Sequence, residues 1–217
     1  PTVRTRTLRR PSSIRLIHVH GALVGGLLQL LIGALLMGHI SPATNRWSAA
    51  PVRILLFNTG TIVLLVGFAL RDPRVIGAAG FMVAATVLLW GKEIWRFFHD
   101  HHDAIHRFYY GFALLALVGG LLVGIGLAFQ LVGSRPGHAR LAHIHLTVIA
   151  FLTVAAIGLL QRWVPAALNR PIHRPGLHAA TLVLLPAGTA GLLTGFWLSS
   201  LEIQLAAGGL FFIGVAL

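Results

Sequence analysis

Long stretches without a single charged side chain set the terms for this chain. Arg15 and Arg46 bracket 30 residues free of Lys, Arg, Asp and Glu, and gaps of 17, 17, 27, 21 and 27 residues cover 54–70, 75–91, 108–134, 141–161 and 175–201. A last gap of 15 residues runs from 203 to 217. A helix needs about 20 apolar residues to cross the hydrocarbon of a bilayer, with a lower limit near 17. Six gaps meet that limit, so the spacing predicts an all-α polytopic transmembrane bundle of seven visible spans, the seventh incomplete. Strands do not fit, because the runs are too long and lack alternating polarity, and only helices or closed barrels satisfy the backbone in lipid.

Composition agrees with the spacing. Strongly apolar residues make up 56% of the chain and charged ones 10%, against roughly a quarter charged in soluble domains. So few charges cannot cover a soluble surface, and so apolar a chain does not stay disordered. The first apolar run is too long for a signal peptide and carries two His at its start. With no Cys, disulfides, thiolate metal sites and thiolate-ligated haem are excluded.

The net charge of +12 is spread over the connections instead of forming one nucleic-acid patch. Arg4, Arg6, Arg9, Arg10 and Arg15 make residues 1–15 a basic arm. Such an arm before a first span is expected on the cytoplasmic side, against anionic lipid. On that assumption nine Lys and Arg lie inside and eight outside, so the arm alone sets the orientation. The expected setting is a prokaryotic cytoplasmic membrane, with the bilayer and other membrane subunits as partners and no nucleic acid.

An internal repeat organises the chain. A shift of 125 places Leu16-Ile17-His18-Val19-His20 on Leu141-Ala142-His143-Ile144-His145, and Gly33 on Gly158. A shift of 128 aligns residues 60–70 with 188–198, seven identities in eleven positions, and continues Ala79-Gly80 onto Ala207-Gly208. Two parallel four-helix units follow, residues 16–132 and 133–217, with an eighth span expected beyond residue 217. An even helix number keeps the units parallel, so both His-x-His pairs belong on one side of the membrane. Gly21-x-x-x-Gly25, Gly120-x-x-x-Gly124 and Gly191-x-x-x-Gly195 suit close helix packing.

Histidine carries the chemical signal. The chain has 12 His against five acids, and His18, His20, His143 and His145 open spans one and five. Intramembrane ionisable groups are expensive and point to function. Proton relays interleave acids with His, but Asp72, Glu93, Asp100, Asp103 and Glu202 fall at or near span ends, which favours neutral imidazole as a metal ligand. Residues i and i+2 of a helix point about 200° apart, so His143 and His145 cannot share one metal. They serve two centres, or one binds while its neighbour reaches the interface. A second cluster joins spans three and four. If helical, it puts His99, His102, Asp103 and His106 on one face, a set suited to Zn or Cu, with His106 also able to face the bundle as a cofactor ligand. His173 and His178, with Arg170 and Arg174, form a third group suited to lipid phosphates or cofactor propionates.

Residues 143–171 resemble a span of the haem- and copper-associated membrane proteins of the nitric oxide response (NnrS) type. The shared pattern is His143, His145, Phe151, Gly158 and Val164-Pro165. The same segment is more distantly similar to the His-bearing second span of haem–copper oxidase and nitric oxide reductase catalytic subunits. Leu146 stands where the first family carries an acid, and the adjacent His pair and His-Pro-Glu copper motif of true oxidases are missing. The resemblance implies His-ligated haem b, copper or both, and not oxygen or nitric oxide reduction at a haem–copper centre. The expected function is haem or copper binding in electron transfer or nitric oxide and respiratory metabolism. The expected ligands are His143 and His145 first, then His18 and His20, then His106. The competing expectation is a transporter or cofactor-free anchor subunit, with Gln29, Asn58, Gln130 and Gln161 lining a polar path.

Overall fold

The computed structural model describes residues 13–37, 50–100, 104–169 and 175–217. Among these residues the fold is all-α, with no strand. Helix α1 is one rod of three segments, Ser13–His20, Gly21–Leu28 and Gln29–Met37, the middle one wound as a wider π-helix. Next come α2 (Ala50–Leu70), α3 (Pro73–Asp100) and α4 (Ala104–Ala128). Helix α5 has the build of α1: Pro136–Ile144, a π-helical His145–Leu152, and Thr153–Leu168. Helices α6 (Pro175–Leu198) and α7 (Leu201–Ala216) complete the order. Residues 1–12, the basic arm up to Arg10 included, lie outside the described residues.

Helices α1 to α6 are long and apolar enough to cross a membrane, and the chain is an integral membrane helix bundle. Helix α7, with 16 residues, reaches only about 24 Å at 1.5 Å per residue, short of a hydrocarbon core of about 30 Å. The helices overrun the charge-free gaps that announced them. Helix α2 starts at Ala50 and takes in Arg53, and α3 runs on past Trp90 through Lys92, Glu93 and Arg96. Arg53 and Glu93, both on these extensions, form a salt bridge between the two helices. Glu93 lies inside α3, near the end of its apolar span Pro73–Arg96. Helix α4 starts and stops earlier than its gap, since the chain turns at Phe129–Ser134 with Gln130 and Gly133 at positive φ. Pro73 and Pro136 stand at first helical positions, where the missing N–H costs nothing.

Consecutive helices pack as neighbours, and α5 also touches α1. These two run in the same direction: His20 meets His143 at one end, while Leu35 and Leu159 share a cluster toward the other. The main core draws on all seven helices, with Ile32, Phe57, Val87, Tyr109, Phe151, Leu185 and Phe211 buried together. In lipid such a core holds by close packing and hydrogen bonding more than by exclusion of water.

The same contacts recur at the shifted positions. Thr61 donates to the Phe57 carbonyl at 2.9 Å, and Thr189 to the Leu185 carbonyl at 2.8 Å. The α2–α3 turn bonds the Asp72 amide to the Gly67 carbonyl with Arg71 at φ 57°; the α6–α7 turn bonds the Ser200 amide to the Gly195 carbonyl with Ser199 at φ 55°. Asp72 then caps α3 through the Arg74 amide, and Ser200 caps α7 through the Ile203 amide. Even a clasp at the helix starts repeats with its chemistry exchanged. Arg71 donates to Ser13 Oγ at 2.9 Å, and His138 lies 3.1 Å from Ser199 Oγ.

Candidate metal centre

Helices α1 and α5 bring the rings of His20 and His143 near one another. Their ring centroids are 6.3 Å apart and their planes differ by 17°. His20 Nδ1 donates to the Leu16 carbonyl at 2.9 Å, one turn back in its own helix. His143 Nδ1 donates to the Gly120 carbonyl of α4 at 2.7 Å. A carbonyl only accepts, so each Nδ1 carries the proton, which in the neutral ring leaves the lone pair on Nε2. That is the tautomer a metal needs, and the carbonyl contact behind the ring is the usual way of fixing it. Phe68 packs on the His20 ring at 4.6 Å.

The other two His of the pairs are held alike but turn elsewhere. His145 Nδ1 donates to the Leu141 carbonyl at 2.8 Å and its ring meets Phe196 edge-on at 4.5 Å. His18 Nδ1 donates to the Ile14 carbonyl at 2.8 Å, and the side chain is exposed. His143 thus faces α1 and α4 while His145 faces α6, the divergence expected of i and i+2. His20 and His145 keep repeat-equivalent surroundings, since Phe68 and Phe196 correspond. His18 and His143 do not, because α4 offers its Gly120 carbonyl to His143 alone. Both π-helical segments begin within a residue of the second His, and the wider winding frees carbonyls. Thr147 Oγ1 donates to the His143 carbonyl at 2.7 Å. Such π segments often mark functional sites, and nothing in the composition announced them.

The second cluster is not assembled by the described residues, since His102 and Asp103 lie outside them. His99 Nδ1 accepts from Arg107 Nη1 at 2.8 Å. His106 is buried beside Phe98 and Tyr110, with ring centroids 6.1 and 6.2 Å away. Among the described residues no three His, Asp or Glu gather closely enough to hold a metal ion. In the third group, His173, Arg170 and Arg174 also lie outside the described residues. His178 opens α6, and its carbonyl accepts from the Tyr109 hydroxyl at 3.0 Å, which in turn accepts from Gln161 Nε2 at 3.2 Å. Of the four amides, Gln29 bonds Asn58 at 2.9 Å between α1 and α2, Gln161 joins Tyr109, and Gln130 sits exposed in a turn.

Sequence reading singled out Gly120 and Gly124 for helix packing but not as neighbours of His143, and it missed Phe68 beside His20 and Phe196 beside His145. The repeat held a signal for both aromatics, as Phe68 and Phe196 are identities within it. Of the motif positions in α5, Phe151 is buried in the core and Gly158 has Tyr110 so close that a Cβ would sit 2.9 Å from its ring. Compared with protein-family models, curated proteins and solved structures, the chain finds no match.

Proposed function

We propose that this protein is a haem- or copper-binding membrane protein of electron transfer, in respiratory or nitric oxide metabolism, with His20 and His143 as its ligand pair. The separation of the two rings carries the reading. Two imidazoles on one ion, at about 2.0–2.1 Å per bond and with each ring centre roughly 1.1 Å behind its nitrogen, stand at most about 6.4 Å apart. Stacked faces in contact would close to about 3.5–4 Å. The observed 6.3 Å lies within the limit for two imidazoles on one ion, and neutral imidazole suits iron and copper. A haem iron or copper bound there supplies one-electron chemistry. The protein's part is to hold two imidazoles in one tautomer, nearly parallel, in a site that lipid and Phe68 keep dry. Two imidazoles on a haem iron leave no position for an outside ligand, which favours electron transfer over gas chemistry. His145, His18 and His106 rank behind the pair as ligands. Nitric oxide metabolism rests on the resemblance at residues 143–171, and the basic arm supports placing this end of the bundle at the cytoplasmic face.

The test is a pyridine haemochrome spectrum with metal analysis on full-length protein from haem- and copper-replete cells. His20→Ala and His143→Ala should each remove the cofactor, and His18→Ala should retain it. A fully supplied wild-type protein with neither haem nor metal overturns the proposal.

A further inference from the structure

The ring of His143 occupies a slot that two glycines of α4 create. A Cβ on Gly124 would lie 2.8 Å from His143 Cε1 and 3.0 Å from its Nδ1. A Cβ on Gly120 would lie 2.4 Å from Thr147 Cγ2 and 3.2 Å from the Thr147 amide nitrogen. Gly120 therefore lets the α5 backbone come close enough for its own carbonyl to reach His143 Nδ1 at 2.7 Å. Gly124, one turn further along α4, leaves the ring its place. On α1, the helix of His18 itself, Gly21 and Gly25 meet Leu65 and Thr61 of α2 at 3.6 Å or more. There His18 turns outward.

We propose that Gly124 and Gly120 are positioning residues that hold the His143 ring beside His20, with its Nδ1 turned to α4. The inference rests on the two-imidazole reading and adds a specific demand to it. An alanine at 124 displaces the ring and breaks its bond to the Gly120 carbonyl, without touching either imidazole's chemistry. Loss of such an orienting contact weakens metal binding roughly 10–100-fold.

The experiment compares Gly124→Ala with Gly119→Ala in the full chain. Gly119 is its neighbour on the same helix, and a Cβ there meets only Leu146 Cδ1 at 3.8 Å. Bound haem or copper, its absorption and paramagnetic resonance spectra, and the thermal midpoint are read for each. Gly124→Ala should lose the two-imidazole spectrum and bind roughly 10–100-fold more weakly, while Gly119→Ala matches wild type. If Gly124→Ala unfolds, the double variant with His143→Ala decides the matter: removing the ring should restore the midpoint. A loaded wild type whose Gly124→Ala variant keeps the wild-type spectrum and affinity overturns this inference alone. So does a double variant that restores nothing. A wild type that binds neither haem nor metal overturns the two-imidazole reading and the positioning role with it.

Discussion

Gly188 and Gly60 occupy equivalent positions in the repeat, yet the structure sets very different penalties on a methyl group at each. A Cβ on Gly188 would lie 2.7 Å from Phe211 Cβ, 2.7 Å from its amide nitrogen and 2.8 Å from its Cα. Ordinary carbon contacts are about 3.5–4.0 Å, so α6 and α7 would have to part by close to an ångström along a seam whose Phe211 is buried. On Gly60 the nearest atoms are Met82 Cβ and Val83 Cγ2, both at 3.2 Å, with the Val83 amide at 3.4 Å. Small shifts relieve those. Overpacking costs about 1–3 kcal/mol, and replacing Gly by Ala in a helix returns about 1 kcal/mol. The balance for Gly188→Ala is a net loss of about 2 kcal/mol, because backbone atoms receive the clash. For Gly60→Ala it is near zero. In a chain of this size about 2 kcal/mol corresponds to a fall of roughly 4–8 °C in the thermal midpoint. Tryptophan fluorescence and helical ellipticity in one detergent at one scan rate would read it, the fixed rate guarding against irreversible unfolding. Equal midpoints for the two variants, or a lower one for Gly60→Ala, would refute the assignment of the tight seam to α6 and α7.

Two further outcomes follow from single contacts. Tyr109→Phe removes the hydroxyl that links Gln161 to the His178 carbonyl and strands the Gln161 amide beside its already unpartnered, buried Oε1. A loss of about 1–3 kcal/mol is expected, recovered in part by adding Gln161→Leu, and measured by the same melts. Glu93→Gln removes the charge opposite Arg53, but the Glu93 side chain is 43% exposed, so the loss should stay within about 1 kcal/mol. A much larger fall would show that the pair is shielded far better than its exposure implies.

The fold was legible because lipid imposes one rule on the whole chain. Any run without charges long enough to cross must be helical, and the gaps therefore located six spans without propensity arguments. Their ends were less legible, since charge-free length is a lower bound. Arg53 and Glu93 neutralise one another between helices, and Arg162 lays its guanidinium over the Phe98 ring at 5.3 Å, so charges continue inside helices where the gaps stop. The prolines were the better guide, with Pro73 and Pro136 marking starts that the nearest Arg had hidden. Turns at Arg71, Gln130 and Ser199 could not be read at all. Each takes a left-handed conformation normally left to Gly, at about 1–2 kcal/mol apiece, because short connections between packed helices override the local preference.

The site shows where repeat logic stops. Two His-x-His pairs in equivalent spans suggest equivalent roles, and at the level of one helix and its nearest neighbour they have them. His20 and His145 each turn Nδ1 to the carbonyl one turn back and each lie against a Phe of the following span. Sequence reading ranked His143 and His145 first as ligands while holding that they cannot share one metal, and the rings that meet come from non-equivalent positions, His20 and His143. The cause lies in α4. It closes the first unit and packs on the start of α5, so its Gly120 carbonyl draws His143 inward. Nothing among the described residues holds His18 in that way. A repeat preserves contacts made within a unit, but a contact between units depends on which helix comes next, and that order differs at the two pairs. Exchanging roles should therefore fail: with His143→Ala, the intact His18 cannot supply the missing imidazole, and cofactor loss should be complete even though His18 stands two residues from His20. Retained two-imidazole spectra in that variant would mean that α1 can turn His18 inward unaided, and that α4 does not decide the pairing.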